Sequence, residues 1–303
     1  MIFDAVLIAG PTASGKSDAA VRLAEAINGV VINADSMQVY REAPILTAQP
    51  DAAARTRVPH LLYGHVSARE VYSVGRWRLD AMAALEAAHR MARVPIFVGG
   101  TGLYFTALTQ GLAEVPPIPP VIRAEARALL EEIGVAALHE RLASRDPKTA
   151  ARLRPTDPQR TLRAYEVFEA TGQPLADWQE CEAAPVLEGL KLARFVLDWP
   201  RPELRARIGA RFEAMLTHGG LEEALALKDL APALPAAKLL GLRPLIALAE
   251  GRMEREAAIL DAVTATGQFA KRQMTWFRNR MADYVRFNPK ESNIISQYEQ
   301  YSV

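Results

Sequence analysis

The stretch DAVLIAGPTASGKS, residues 4–17, decides the fold class of this chain. Its first part, DAVLIA, is almost wholly apolar and predicts a short buried strand. The next eight residues fit the phosphate-loop pattern G-x-x-x-x-G-K-[ST], and Ala20, Leu23 and Ile27 then share one face of a helix. A glycine loop between a strand and a helix presents backbone N–H groups and a helix N-terminus to anions. We therefore expect a polyphosphate site here.

Roles within this loop follow from the pattern. Lys16 adds a point charge on the outer phosphate, and the Ser17 hydroxyl is placed to bind Mg²⁺. The pattern specifies polyphosphate but not ATP, and a chance glycine-rich turn is the alternative. The predicted site comprises Gly10, Pro11, Thr12, Ala13, Ser14, Gly15, Lys16 and Ser17.

Strands and helices continue to alternate beyond the loop. VVIN at 30–33 and VPIFV at 94–98 predict a second and a third buried strand. Between them a helix is predicted over about 76–93, with Leu79, Met82 and Leu85 on its apolar side. This alternation predicts an α/β fold, in which helices cover both faces of a parallel sheet.

Prolines mark a domain boundary. VPPIPP at 115–120 cannot continue a helix or a central strand. Only helical patterns follow as far as residue 189, LARFVL at 192–197 predicts another buried strand, and helical patterns resume to about 286. We therefore predict an α/β core of residues 1–114 and 190–287, a helical insertion domain of residues 115–189, and a polar tail, 288–303, that frays.

The composition is that of a soluble globular protein, with 50% hydrophobic and 23% charged residues among 303. The formal net charge is only +1, so any nucleic-acid binding must come from local clusters of basic residues. Cys181 is the single cysteine, which excludes an internal disulfide and fits a reducing compartment. No apolar run approaches the ~18 residues of a membrane span. We expect a cytoplasmic protein without membrane contact.

Two segments after predicted strands carry candidate chemistry. DSMQ at 35–38 follows the second strand, at the sheet edge where ligands of open α/β folds bind. Asp35 is there a base, a hydrogen-bond acceptor or an Mg²⁺ partner, with a helix N-cap as the alternative. The third strand runs into GGTGLY at 99–104 and lacks the Asp with which P-loop NTPases hold Mg²⁺. Its glycines indicate a close approach of the backbone to a ligand, or a plain turn.

Basic residues cluster in two places. Residues 148–163 and residues 269–286 each hold five basic residues and one Asp, and the second segment also contains Trp276, Phe277 and Tyr284. Basic and aromatic residues together suit phosphate contacts and base stacking in RNA, whereas solvated helix faces are the alternative. Arg211 and Arg243 are expected to be solvated rather than phosphate ligands.

Taken in order, five motifs resemble the tRNA dimethylallyltransferase (isopentenyl-tRNA transferase) family of the bacterial type. They are GPTASGKS at 10–17, DSMQVYR at 35–41, VGGTGLY at 98–104, DPQRTLRAYEV at 157–167 and AKRQMTWFR at 270–278. The resemblance implies a P-loop NTPase-like core with a helical insertion, dimethylallyl diphosphate as donor, and Mg²⁺. The implied acceptor is the adenosine 3′ of the anticodon in tRNAs that read codons beginning with U. We expect a monomer.

Site roles are carried over by position. The resemblance implies that Gly10–Ser17 binds the donor diphosphate, that Asp35 is the general base, and that Thr101 and Arg123 line the tunnel where donor and acceptor meet. The implied tRNA contacts are Asp35, Ser36, Met37 and Gln38 at the target nucleotide, and Gln159, Arg160, Thr161, Leu162, Arg163, Lys271, Arg272, Gln273, Trp276 and Arg278 on the anticodon stem-loop.

The chain departs from the family pattern at a few positions. Gly267 stands where the family usually has Arg, Leu61 replaces the second of two histidines, and Leu242 replaces a tyrosine after Gly241. These departures affect expected RNA contacts rather than the phosphate loop. Two other functions stay open: a P-loop kinase of a small metabolite or nucleotide, and a non-catalytic RNA-binding module.

Overall fold

The computed structural model describes residues 3–181 and 184–301. Its six strands form one fully parallel sheet in the order β3-β2-β4-β1-β5-β6. The strands are β1 (Ala5–Ala9), β2 (Gly29–Asn33), β3 (His60–Leu61), β4 (Val94–Gly99), β5 (Leu192–Leu197) and β6 (Val285–Phe287). The predicted α/β fold and its four strands are confirmed, whereas β3 and β6 were not predicted. Strands β1, β2 and β4 are buried along their whole length, as expected of a sheet covered on both faces.

Helices make up most of the remaining structure. They are α1 (Lys16–Ile27), α2 (Pro44–Thr47), α3 (Ala52–Arg57), α4 (Val74–Arg90), α5 (Gly102–Thr109), α6 (Pro120–Arg145), α7 (Pro147–Ala150), α8 (Pro158–Thr171), α9 (Leu175–Glu180), α10 (Arg201–Thr217), α11 (Gly220–Ala226), α12 (Leu242–Ala249), α13 (Arg255–Arg280) and α14 (Ile294–Tyr301). A short 3₁₀ helix spans Pro235–Lys238. None of the described helices is both long and apolar enough to cross a membrane.

The chain divides into two compact units, residues 1–108 with 186–303 and residues 109–185. The predicted insertion, 115–189, lies close to the second unit in sequence. In its described part that unit contains helices and no strand. Leu138 and Leu142 of α6 pack there with Ala164 and Tyr165 of α8 around a small core. Gly134 interrupts α6 because its φ of +77° is not helical. Glycine adopts this conformation readily, whereas residues with an L side chain rarely do.

The predicted apolar face of α4 is wrong. In α4 the buried face consists of Trp77, Ala81, Ala84 and Ala88, whereas Leu79 and Met82 are 61% and 40% exposed. Small alanines let the helix approach the sheet closely, and the bulky residues between them point outward.

The tail was expected to fray, but α14 is ordered on the core. Ile294 is buried with the sheet residues, and Tyr301 packs against Phe3 and Phe195 at ring distances of 5.4 and 5.6 Å. These aromatic contacts hold a segment whose own sequence is mostly polar.

Candidate active site

The phosphate loop lies at the carboxyl end of β1, between β4 and β5 in the sheet. β1 ends at Ala9, and α1 begins at Lys16. Ala13 and Gly15 adopt φ of +62° and +84°, which curls the backbone between them. The Ser14 N–H donates to the Pro11 carbonyl at 3.2 Å and closes the curl. The predicted order of strand, loop and helix is confirmed. Loops of this architecture bind anions in proteins.

Lys16 is buried inside this loop rather than extended into solvent. Only 7% of the residue is exposed, and its Nζ donates to the Pro11 carbonyl at 3.4 Å. Burial lowers the pKa of Lys16 from 10.5 to about 8, against an opposing effect of Asp35, while Arg211 lowers it further. A desolvated ammonium at the loop gains more from an incoming anion than an exposed one does.

Helix α10 supplies two cations that contact the loop from the side. Arg207 donates through Nε to the Ala13 carbonyl at 2.8 Å, and Arg211 donates to the Thr12 hydroxyl at 3.1 Å. Arg207 also lies over the Trp199 ring, 4.5 Å from its centre. Burial lowers the pKa of Arg211, which Asp35 opposes. The expectation that Arg211 is solvated is therefore wrong, and its i, i+4 spacing from Arg207 was the only sequence signal.

Asp35 begins the turn after β2. Its Oδ1 accepts the Met37 N–H at 3.0 Å, and the Asn33 amide brackets its backbone from both sides. Among the described residues, no hydrogen bond reaches the other carboxylate oxygen, Oδ2. No helix starts here, since the next one begins at Pro44, so the N-cap alternative is excluded. One oxygen fixes the turn, and the second is free to accept a proton.

Thr101 joins the Asp35 turn. Its Oγ1 accepts the Ser36 N–H at 2.9 Å and donates to the Ser36 hydroxyl at 3.2 Å. Gln38, by contrast, is buried, and its amide donates to the Thr47 and Ala48 carbonyls. The structure therefore brings Asp35, Ser36 and Thr101 together, while the Gln38 side chain serves the fold.

The glycines after β4 allow close approach of the protein to itself, rather than to a ligand. A Cβ at Gly99 would clash with the Ala34 backbone, one at Gly100 with the Gln273 amide, and one at Gly102 with the Trp276 ring. A Cβ at Gly100 would also lie 3.3 Å from Asp35 Oδ2. Helix α13 can pack against this turn only because Gly100 and Gly102 have no side chains.

Helix α13 carries the second basic segment on its exposed side. Lys271, Arg272 and Arg278 are exposed, and Trp276 is partly exposed. All of these except Arg278 border a groove of about 610 Å³, lined by Gln268, Lys271, Arg272, Thr275, Trp276, Asn279 and Arg280. Gln273 is different, since it is 6% exposed and hydrogen-bonded within the protein. Its predicted place among the RNA contacts does not fit its side chain.

Helix α8 carries the first predicted RNA segment, within the second unit. Asp157 caps the helix by accepting the Arg160 N–H at 3.0 Å, and Gln159 and Arg160 are exposed. Thr161 is fully buried, so its side chain cannot reach RNA. Leu162 is partly exposed.

Arg163 of α8 and Arg123 of α6 share one acidic neighbour, Glu166. Arg163 lies 3.9 Å from the Glu166 carboxylate. Burial raises the pKa of Glu166, and Arg163, Arg123 and Arg127 oppose that shift. The insertion therefore contains its own group of arginines around one carboxylate.

A magnesium ion has few protein ligands available at the loop. Among the described residues, no group of three or more His, Cys, Asp or Glu side chains is positioned to hold a metal. The partly exposed Ser17 at the start of α1 is the oxygen donor of the motif. This donor set fits Mg²⁺, which binds through one or two protein oxygens and completes its shell with phosphates and water.

Comparison with known proteins agrees with this geometry. The family model described as IPP transferase matches residues 38–280, and the one described as isopentenyl transferase matches residues 3–56. The chain is 52% identical to the tRNA dimethylallyltransferase of Azorhizobium caulinodans over 94% of this chain and 92% of the relative. It is 50% identical to that of Rhodospirillum centenum, over 94% and 91%.

Solved structures give the same result. The full-length tRNA isopentenylpyrophosphate transferase of Bacillus halodurans superposes with a TM-score of 0.67 at 32% identity, covering 99% of this chain and 94% of that one. A eukaryotic dimethylallyltransferase, described as acting on tRNA, superposes with a TM-score of 0.77 at 27% identity, covering 97% and 75%.

Proposed function

We infer the function from the premise that this chain belongs to the IPP transferase family, whose members include the tRNA dimethylallyltransferases. It is a tRNA prenyltransferase. It moves a dimethylallyl group from dimethylallyl diphosphate to the exocyclic amine of the adenosine 3′ of the anticodon, in tRNAs that read codons beginning with U. One observation carries this proposal: an anion-binding loop and a carboxylate with a free oxygen occupy the carboxyl ends of β1 and β2.

The acceptor amine needs a base. The lone pair of an adenine amine is delocalised into the ring, so the nitrogen is a poor nucleophile until its proton can leave. Asp35 offers Oδ2 for that proton, while Oδ1 stays bound to the Met37 N–H and keeps the carboxylate oriented. As the N–C bond forms, the allylic C–O bond breaks and diphosphate departs with the bonding electrons.

Cations are needed where negative charge develops on the departing diphosphate. The loop N–H groups, Lys16 and Arg211 surround the proposed anion site; Lys16 is buried and Arg211 is partly buried. Preorganised donors in a desolvated site stabilise a leaving anion without further reorganisation. Mg²⁺, held by Ser17 and the donor oxygens, would neutralise further charge on the diphosphate.

The RNA side of the reaction is assigned to exposed cations. Lys271, Arg272 and Arg278 of α13 provide phosphate contacts, and Trp276 provides a stacking surface next to them. Gln159, Arg160 and Arg163 provide the contacts of the insertion, and Arg123 and Thr101 are proposed to line the path between donor and acceptor. The target base must leave the anticodon-loop stack to reach Asp35.

Cellular setting and assembly are also part of the proposal. The single, exposed Cys181 suits a reducing compartment, so we place the enzyme in the cytoplasm. We propose that it acts as a monomer.

A P-loop kinase is the strongest rival function. It would use the same loop with ATP, and Asp35 would accept the proton of a substrate hydroxyl. No carboxylate follows β4, where an NTPase holds Mg²⁺, because the turn there is Gly99-Gly100-Thr101-Gly102. An RNA-binding module without catalysis has no use for the buried Lys16 and the partly buried Arg211 at this loop.

Transfer of radiolabelled dimethylallyl from its diphosphate to a tRNA transcript tests the proposal directly. We expect Asp35→Asn to cut single-turnover transfer by roughly 10²–10⁴-fold, the usual effect of losing a positioned base. Asparagine keeps the Oδ1 acceptor for the Met37 N–H, so the turn should survive. Asp51→Asn is the matched control, because Asp51 also accepts a backbone N–H, at the start of α3 away from the loop.

Two outcomes would reject the proposal. Phosphorylation of a small molecule from ATP by the parent enzyme, together with absence of transfer, would favour the kinase. Near-normal transfer by Asp35→Asn would remove the base and leave Asp35 as a residue of the turn.

A further inference from the structure

Gln273 connects two turns of the active site through one buried side chain. Its Oε1 accepts the Thr12 N–H at 2.9 Å, and its Nε2 donates to the Gly100 carbonyl at 2.8 Å. A backbone N–H can only donate and a carbonyl can only accept, so these partners fix the orientation of the amide. The residue is 6% exposed. Both the oxygen and the nitrogen of the amide are therefore bonded inside the protein.

The contact depends on the local backbone of both turns. A Cβ at Gly100 would clash with the Gln273 amide, so only glycine leaves room for it. Thr12 belongs to the phosphate loop, and Thr101, next to Gly100, binds the Asp35 turn through Ser36. The Gln273 amide thus ties the donor side of the site to the acceptor side.

Gln273 binds one of the backbone N–H donors of the phosphate loop. The Thr12 N–H points at Gln273, whereas its hydroxyl accepts from Arg211. Thr12 is held by α13 through its backbone and by α10 through its side chain. The loop is fixed from outside before any anion arrives, which is the preorganisation that leaving-group stabilisation requires.

We propose that Gln273 is a positioning residue for the transfer reaction rather than an RNA contact. It holds the phosphate loop at a fixed distance from the Gly100–Thr101 turn, and so keeps the donor diphosphate aligned with Asp35. The inference rests on the proposed function. It implies that losing the amide damages turnover, because a misplacement of about 1 Å can cost roughly 10²-fold in rate.

Gln273→Leu separates this role from RNA binding. We expect its kcat for transfer to fall by roughly 10–100-fold. Its affinity for inorganic diphosphate, measured by calorimetry, should weaken several-fold, while affinity for an anticodon stem-loop should stay within about twofold of the parent. An RNA contact would give the opposite result, with weaker stem-loop binding and unchanged kcat. Gln300→Leu is the matched control, since Gln300 is exposed on α14, outside the loop and the α13 groove.

Gln273→Glu provides a readout that a general loss of packing would not change. A protonated carboxyl has the shape of the amide and can accept from Thr12 and donate to Gly100, whereas the ionised form repels the Gly100 carbonyl. Burial raises the pKa of such a carboxyl, so the protonated form, which can make both hydrogen bonds, should become populated as pH falls. Its kcat relative to the parent should therefore rise between about pH 8 and pH 6, while the ratio for Gln273→Leu stays flat.

Dividing each rate by the parent rate at the same pH cancels the pH effects that the variant and the parent share; the charged groups facing this side chain are Lys16, Asp35 and Arg211. A flat ratio for Gln273→Glu, or a kcat for Gln273→Leu within twofold of the parent, would overturn the inference. Absence of transfer by the parent would reject the proposed function instead. The diphosphate and stem-loop affinities would then decide the role of Gln273 alone.

Discussion

The cations of the active site and of α13 differ from those of the insertion in what compensates their charge. Lys16 and Arg211 bind only a carbonyl and a hydroxyl of the loop, and Lys271 and Arg278 are exposed. Within the described part of the chain, no carboxylate lies within ion-pair distance of these four. They are available to a polyanion.

The insertion shows the opposite arrangement. Lys148 binds Asp177 at 2.5 Å and Glu180 at 2.8 Å, and Arg152 binds Glu180 at 3.0 Å. Arg145 is paired with Glu169. The ion pairs of α8, between Arg160 and Asp157 and between Arg163 and Glu166, are longer. Two segments with equal numbers of basic residues in sequence therefore differ in free charge, and α13 should provide most of the electrostatic attraction for RNA.

The largest difference in transfer rate is expected between the Lys16→Ala and Lys148→Ala variants. Lys16→Ala should lower transfer by roughly 10²–10³-fold, the usual cost of removing one preorganised donor from a developing anion. Lys148→Ala should stay within about twofold of the parent, because two carboxylates already neutralise that charge. Single-turnover rates measure both. Comparable losses would show that compensation of charge does not predict function in this enzyme.

Ser17→Ala distinguishes the metal from the lysine at the same loop. We expect added Mg²⁺ to restore part of the activity of Ser17→Ala and none of that of Lys16→Ala, since only the serine hydroxyl is proposed to bind the metal. A titration of Mg²⁺ against rate gives the answer. The same response in both variants would contradict the division of roles.

The uncompensated charge of Lys16 should also appear in the pH dependence of donor binding. Its pKa of about 8 in the free protein means that the ammonium is present below pH 8 and is lost above it. A bound diphosphate favours the charged form, so affinity should be constant below pH 8 and fall about tenfold per pH unit above it. Calorimetry with inorganic diphosphate between pH 6.5 and 9.5 measures this, and the break should vanish in Lys16→Ala.

Much of this architecture could be predicted from sequence, because the signals were local. Strand β1, the loop at 10–17 and helix α1 are neighbours in the chain, and their pattern alone defined the phosphate site. Strands β3 and β6 have two and three residues, too few to show periodicity. Helix α14 depends on aromatic contacts from Phe3 and Phe195, at distant positions in the chain.

Arg211 was expected to be solvated and Gln273 to contact RNA, and both differ from expectation for the same physical reason. Arg211 and Gln273 reach the Thr12 backbone or hydroxyl across 199 and 261 positions of sequence. Both residue types are common on solvated helix faces, so nothing local distinguishes them. Only the packing of α10 and α13 shows that Arg211 is a partly buried cation and Gln273 a buried amide, both bonded to the loop.

Salt dependence compares the two basic segments directly. The double variant Lys271→Ala with Arg278→Ala should flatten the plot of log K against log salt for a stem-loop by about 1.4–1.8, the sum of two phosphate contacts. Lys148→Ala with Arg152→Ala should change that slope far less, because these cations are paired. Filter binding across a salt series measures both. Equal changes would mean that the ion pairs of the insertion open when RNA binds.

The reverse change sharpens that experiment. Asp177→Asn with Glu180→Gln releases Lys148 and Arg152 without altering the shape of α9. If the released cations face RNA, the slope should steepen by as much as about 0.7–0.9 for each. An unchanged slope would show that this surface lies outside the RNA site.

The smallest effect is expected at Gly267. A Cβ at Gly267 meets no atom within 4 Å, and the position borders a groove of about 300 Å³ that also includes Arg205 and Lys271. Gly267→Arg should therefore fit, and replacing a glycine inside α13 should stabilise the helix by about 0.5–1 kcal/mol.

The added guanidinium extends the uncompensated surface of α13, so stem-loop binding should gain about one phosphate contact and its salt slope should steepen by roughly 0.7–0.9. Gly267→Ala is the necessary control, because it shares the gain in helix propensity and adds no charge. A slope that steepens equally in both variants would assign the effect to the helix, and a slope unchanged in Gly267→Arg would place this part of α13 beyond the reach of the RNA backbone. A steeper slope in Gly267→Arg alone would mark the free surface of α13 as a phosphate track that continues past Lys271 toward the N-terminus of the helix.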